Sequence, residues 1–401
     1  MSTPVRLRDL GSTYGGLTGK TKPDFGRGSA SFVTFLEVIN NTRLRGEHLQ
    51  RVRVRTGERQ NRVHRGDLLF NGSSESPEEV ALSAVVDFDP DSTTYLNSFC
   101  FGYRLRPDAQ VDPTYLAYLF RSGAGRALVA SLAQGATRYN IAKTKFLNLE
   151  LSLPTTTRQR EISMALSDAD DLIASFERLL AKKQAIKQGM LQRVFAVPED
   201  IRQRAALGSL VGMLSGGTPD RSNEEYWSGS IPWISATTLK TLEVATSDQA
   251  VSEKAVRVGS KMAPLRSTLV LVRGSALHSE IRAALVTAPV CFNQDVKALV
   301  PAAGLEPKFL TYSIHANASR LLRLVTSAGN TAGVLDTKVL KDFEIWLPDQ
   351  QRQRTVVATF DDVTAEIDAI SLRLDKARAI KAGMMQELLT GRTRLPAEAI
   401  A

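Results

Sequence analysis

The stretch LPTTTRQREI beginning at Leu153 returns as LPDQQRQRTV beginning at Leu347, an offset of 194 residues. The offset then holds without a gap from Val111 to Phe195. Pro113 matches Pro307, Tyr118 matches Tyr312, Arg126 matches Arg320, and Gly135 matches Gly329. The RQR triplet at Arg158 recurs at Arg352, and Ile186-Lys187 recurs as Ile380-Lys381. So long a period excludes a solenoid of small repeats and means two copies of one domain-plus-helix unit. Residues 1–110 and about 201–305 share only strand-rich patterning, so a common frame carries two diverged inserts.

Each repeated block has the same internal order. TYLAYLFRSGAGRALVASLAQG and its partner KFLTYSIHANASRLLRLVTSAG have helical spacing and run to a glycine suited to a C-cap. FLNLELSLP and VLKDFEIWLP then alternate as short strands up to Leu-Pro. Thr155 and Asp349 follow the proline and suit the N-cap of the next helix.

That helix carries the clearest periodicity. Ile162, Leu166, Ile173, Phe176 and Leu180 fall on alternating steps of a heptad, and Val356, Phe360, Ile367, Ile370 and Leu374 repeat the phase. A sustained 3.5-residue repeat is a coiled-coil seam, and two equivalent helices on one chain most simply pair with each other. At 1.5 Å per residue each would be a rod of roughly 50 to 60 Å.

Lysine and arginine total 51 against 42 acidic residues, and this net charge of +9 points to a polyanion such as nucleic acid. Two cysteines, Cys100 and Cys291, suit buried thiols rather than a disulfide framework or a four-ligand zinc site. No run of 18 apolar residues and no apolar leader occurs, so a cytoplasmic chain without membrane contact is expected.

Sequences that imitate catalytic motifs fail on inspection. Gly15–Thr21 (GGLTGKT) has Tyr14 where a phosphate-binding loop needs its first glycine. Asp295-Val296-Lys297 lacks the second acid of a nuclease centre, and the four histidines have no metal-ligand spacing. No catalytic residue and no metal ligand is assigned.

Candidate nucleic-acid-contacting residues are mostly basic, amide or hydroxyl side chains near turns. Arg51, Arg53 and Arg55 alternate with valines, which on a strand would aim three guanidinium groups at one face. Asn71, Ser73 and Ser74 follow the strand GDLLF, and Arg138, Asn140 and Lys143 precede the last short strand. In the second half the candidates are Gly217, Thr218, Lys240, Arg273, Ser275, His278, Asn330, Thr331 and Lys338. Gly216 and Gly217 are expected to supply unusual backbone angles, and Trp233 to be core.

The chain resembles the specificity (S) subunits of type I restriction-modification systems. GGTP, GSIPWIS and FNQDVKAL in the second half carry the likeness, with FVTFLEV and RGDLLF in the first. Both Leu-Pro-x-x-x-Arg-Gln-Arg helix starts and the closing LLTGRTRL add to it. The resemblance implies an α+β chain of two similar target recognition domains, each a mixed sheet plus helices, related by a pseudo-two-fold repeat. These would be residues 1–154 and 199–348, joined by antiparallel coiled-coil spacer helices at 155–198 and 349–395, with a tail at 396–401. It further implies a non-catalytic subunit that reads a bipartite asymmetric sequence in double-stranded DNA. Two methyltransferase subunits and the restriction/translocase subunits would bind through the complex, carrying S-adenosylmethionine, ATP and magnesium themselves. The residues alone leave open a single-chain nuclease or nucleotide hydrolase with built-in DNA recognition.

Overall fold

The computed structural model describes residues 4–135, 137–195, 203–328 and 332–393. Its backbone divides into two compact units, residues 1–177 with 373–401, and residues 178–372. Each unit therefore joins one mixed-sheet domain to the near half of one long helix and the far half of the other.

The first unit is built on a five-stranded sheet ordered Gly11–Gly15, Cys100–Leu105, Leu68–Asn71, Ser83–Val86 and Arg43–Leu44. Its pairs are antiparallel except the last, which is parallel. The second unit repeats this order with Val211–Ser215, Val296–Pro301, Thr268–Leu271, Ala283–Val286 and Glu243–Val244, again ending on a parallel pair. The inserts that share little sequence therefore share one topology. Strand order is set by the alternation of buried aliphatics and the turns between them, and many different side chains satisfy that pattern.

The sequence-predicted 20-residue helix is two helices in each unit. Pro113–Arg121 gives way to Gly123–Ala130 at Ser122, whose hydroxyl accepts from the Gly125 N–H at 3.2 Å and so starts a second helix. The second unit breaks at Asn317, between Pro307–Ala316 and Ala318–Leu322. Gly135 therefore caps no helix; it follows the short strand Ala133–Gln134. The short strands before Leu-Pro shrink to Glu150–Leu151 and Glu344–Trp346, because Lys143–Leu147 and Thr337–Asp342 are helical.

The long helices run Thr156–Phe195 and Gln350–Leu389, 40 residues each. Thr155 Oγ1 accepts from the Arg158 N–H at 3.3 Å and Asp349 Oδ1 from the Arg352 N–H at 2.8 Å, so both predicted N-caps form. The second helix stops at Leu389 rather than 395, where Gly391 takes a left-handed φ of 73°. Of the first helix's expected span, 196–198 lie outside the described residues.

Within the first unit Lys381 pairs with Asp170, and Arg378 pairs with Glu177 at 2.7 Å. Within the second, Lys183 pairs with Glu366 at 2.5 Å and Lys187 donates to Thr364 Oγ1 at 2.7 Å. Numbers rise on one helix as they fall on the other, so the packing is antiparallel. The outer seam residues also serve the domain cores. Ile162 and Leu166 are buried with Leu7, Tyr118, Leu388 and Leu389, and Val356 and Phe360 with Leu191, Phe309 and Tyr312. Toward the middle Ile370 and Leu374 are buried, while Ile173, Phe176, Leu180 and Ile367 are half-buried. No helix among the described residues is long and apolar enough to cross a membrane.

Candidate nucleic-acid interface

In each unit a small three-stranded sheet brings an insert strand onto the repeated block. Ser73–Ser74 pairs with Tyr139–Ile141, which pairs with Ala133–Gln134. In the second unit Arg273–Gly274 pairs with Ala332–Val334, which pairs with Thr326–Ala328. Asn140 stands opposite Ser73 and Val334 opposite Arg273, so the candidates Ser73 and Arg273 occupy equivalent places. One frame thus presents different chemistry in its two copies.

The first unit gathers Ser74 and Asn140 on this sheet, with Arg138 in the bend just before it and Lys143 opening the adjacent helix; Arg138, Asn140 and Lys143 are exposed. The stretch read as one loop is a hairpin followed by that helix. Asn71 is corrected from contact to support. It is 1% exposed because its amide donates to the carbonyls of Ser73 and Glu79 and accepts from the Leu82 N–H at 2.6 Å. Ser73 is buried as well, so its contribution is to hold the pairing with Asn140. Arg126 fixes the following loop by donating to the carbonyls of Glu78, Val80 and Ala81.

Arg51 lies on another sheet, at its Gln50–Val52 edge beside Phe25–Val33, and Arg53 and Arg55 are in the segment that follows. The strand ends at Val52, since the Arg53 N–H turns to the Asp24 carbonyl at 2.8 Å. Only Arg51 is therefore on the strand, although all three side chains are exposed, and Arg51 donates to the Ser29 carbonyl at 2.8 Å. Backbone and side-chain hydrogen bonds from Thr21 hold the Asp24 carboxyl below its ordinary pKa.

In the second unit Arg273, Ser275 and His278 are exposed around the short turn Ser275–His278, and Lys338 is exposed on Thr337–Asp342. Asn330 and Thr331 lie outside the described residues. Thr218 donates to Gln294 Oε1 at 2.5 Å, and the next carbonyl, Asp295, accepts from the Val272 and Arg273 N–H groups. Thr218 is thereby joined to the Arg273 strand. Gly216 and Gly217 do not take positive φ angles; they are needed because a Cβ at either would sit 2.2 Å from a neighbouring carbonyl oxygen. Trp233 is core, 3% exposed, and donates to the Gly217 carbonyl at 3.2 Å. Lys240 instead lines a cavity of about 640 Å³ with Gln184, Lys187 and Arg282.

The imitation motifs take shapes unlike the sites they imitate. Gly15–Thr21 leads from the strand Gly11–Gly15 into the short 3-10 turn Lys22–Asp24 and then the strand Phe25–Val33, so it opens no α-helix. Lys297 donates to Ser215 Oγ at 2.6 Å. Cys100 and Cys291 are buried, and burial raises both thiol pKa values, Cys100 to about 12.

Three residues escaped sequence reasoning. Gln159 and Gln353, the centres of the RQR triplets, are each 1% exposed and tie a long helix to its domain. Phe99 is 59% exposed beside the first small sheet. The repeat of a polar triplet at a helix start was the available signal for the glutamines; Phe99 sat inside an apolar run and gave none.

Residues 203–376 match the family model of the type I restriction modification DNA specificity domain. The specificity subunit of the Escherichia coli enzymes EcoR124I/EcoR124II is 34% identical over 166 residues, 40% of this chain and 41% of that protein. The MjaIX specificity subunit of Methanocaldococcus jannaschii is 28% identical over 170 residues, 41% of this chain and 38% of its own. The chain thus spans about two fifths of the length of the curated relatives it matches. The structure resembles the type I S subunit from M. genitalium with a TM-score of 0.59 and 14% identity, covering 97% of this chain and 96% of that one. A chain from a type I restriction-modification assembly gives a TM-score of 0.62 at 16% identity, covering 96% and 97%.

Proposed function

We propose that the chain is a specificity subunit of a type I restriction-modification system, as its match over residues 203–376 and its relatives suggest, and that it reads a bipartite, asymmetric sequence in double-stranded DNA. Each unit takes one half-site, making residues 1–154 and 199–348 the target recognition domains. The long helices Thr156–Phe195 and Gln350–Leu389 act as the spacer. Arginine and lysine contacts to phosphate set position, while side chains on the small sheets read base edges in the major groove. The chain itself catalyses nothing. Two methyltransferase subunits hold S-adenosylmethionine and extrude the target adenine, and restriction subunits use ATP and magnesium. The complex works in the cytoplasm.

The observation that carries this reading is the pairing of one frame with two chemistries. Asn140 faces Ser73 in one unit where Val334 faces Arg273 in the other. A duplicated scaffold with diverged side chains at one place suits a target whose halves differ. The test replaces Arg138 and Asn140 together by alanine and maps the modified sequence in cells carrying the system. Relaxed or altered bases in one half-site alone support the reading, and an unaltered target argues against it.

A further inference from the structure

An exposed phenyl ring on a fixed turn stands beside the first small sheet. Phe99 is 59% exposed, in a chain whose other large aromatic side chains mostly fill the cores. Its backbone is held on both sides. The Phe99 N–H donates to Asn97 Oδ1 at 2.9 Å, and its carbonyl accepts from the Gly72 N–H at 2.8 Å. Gly72 links the Leu68–Asn71 strand to Ser73–Ser74, so the turn is locked to the small sheet. The Arg138 guanidinium lies 5.7 Å over the ring.

The second unit has a different side chain in the same setting. Asn97 and Asn293 each donate their backbone N–H to the parallel neighbouring strand, to Val33 and Ile234, at 3.0 Å. Two residues later stand Phe99 and Asp295, each one residue before the second strand of its five-stranded sheet. The Phe99 carbonyl accepts from Gly72 and the Asp295 carbonyl from Val272, each just beyond the equivalent strand. An apolar ring and a carboxylate therefore occupy one backbone position.

We infer that Phe99 is a specificity-determining residue of the first unit, packing its ring against the C5-methyl of a thymine in the major groove. This rests on the proposed DNA-reading function. The major-groove edge of thymine offers the only methyl group among the four bases, and apolar side chains select it by burial. A rigid backbone matters, because a ring already fixed in place loses little freedom on contact. Arg138, over one face of the ring, supplies the cation that keeps such a ring close to the phosphate-lined groove. Asp295 at the matching place would repel phosphate and accept from cytosine, so the two units discriminate by different chemistry at this point.

The test uses the full chain assembled with its modification subunits and DNA carrying the selected target. Each thymine of both half-sites is replaced in turn by deoxyuridine, which removes only the methyl. Wild type should bind about fourfold more weakly at one thymine of one half-site, the value of burying one methyl-sized group. Phe99→Ala should bind the unmodified target more weakly and lose nothing further with deoxyuridine there, while Phe99→Leu keeps part of the sensitivity. Thermal unfolding of Phe99→Ala should match wild type, since the ring is exposed. Equal deoxyuridine effects in wild type and Phe99→Ala at every thymine, or wild-type affinity in Phe99→Ala, would overturn the inference and leave the DNA-reading function standing. A wild-type assembly with no sequence preference removes both.

Discussion

Gln353 Oε1 accepts a hydrogen bond from the backbone N–H of Glu306 at 2.8 Å, while its amide donates to the Gly304 and Pro348 carbonyls. Gln159 does the same in the first unit, accepting from Asp112 at 2.9 Å and donating to Pro154 at 2.8 Å. Each glutamine ties the start of a long helix to the loop that opens the preceding domain helix. Gln353→Ala should cost about 1–3 kcal/mol, because buried backbone groups lose their partners. Urea unfolding checks this, and Gln353→Glu should not restore stability, since a carboxylate cannot donate to the two carbonyls.

The buried carboxylate Asp67 anchors a network in the first unit. Arg104 meets it through two bonds of 2.7 Å, Tyr14 donates to it at 2.6 Å, and the His64 N–H at 2.8 Å. Burial, with Asp67 adjacent, pushes the Tyr14 phenol well above its ordinary pKa. Asp67→Ala should destabilise the chain by about 1–3 kcal/mol, measured by denaturant unfolding, because Arg104, Tyr14 and the His64 N–H lose their shared acceptor.

Burial holds the His315 imidazole below its ordinary pKa, and Lys187 pushes the same way, while the Ala283 carbonyl at 2.9 Å opposes both. The fold thus favours the neutral ring, and unfolding takes up a proton once the pH is below the unfolded-state value near about 6.5. Stability should fall as the pH drops from about 6.5 through the lowered folded value. His315→Gln should flatten that part of the curve of unfolding midpoint against pH; an unchanged slope contradicts the assignment. The matching residue of the first unit is Arg121, which donates to the carbonyls of Val38, Ile39, Asn41 and Ser83 and stays charged across this range, although burial lowers its pKa to about 10.

The arginines at the Gln50–Val52 edge should act on phosphate rather than on bases. Replacing Arg51, Arg53 and Arg55 by glutamine should reduce the slope of log K against log salt by up to about 2.7, at about 0.9 per phosphate contact. The bases selected should not alter. An unchanged slope would make this edge a solvated rim that only deters aggregation.

If the long helices act as the spacer, a matched deletion should move the half-sites. Removing seven residues from each, 175–181 and 370–376, keeps the heptad phase and shortens each helix by about 10 Å, or about 3 base pairs. The sequence modified in cells should then show a narrower gap between unchanged half-sites.

Much of this architecture was legible in the sequence because it depends on periodicity. The heptad positions, the N-caps Thr155 and Asp349, and the doubled block are all patterns of residue type. The break at Ser122 was hidden, since a serine inside an apolar run reads as helix until its hydroxyl is seen to cap Gly125. The role of Asn71 was misread for a related reason. A polar residue after a strand suggests a loop facing solvent, and only the fold shows three backbone groups closing around its amide. Phe99 was the reverse case, an aromatic in an apolar run that the turn at Asn97 swings outward.

The most direct test of the central claim selects bound sequences from a random DNA pool with the full chain assembled with its modification subunits. The account predicts two short specific elements of different sequence, separated by a fixed gap without preference. A single contiguous motif, two identical elements, or no enrichment at all would contradict it.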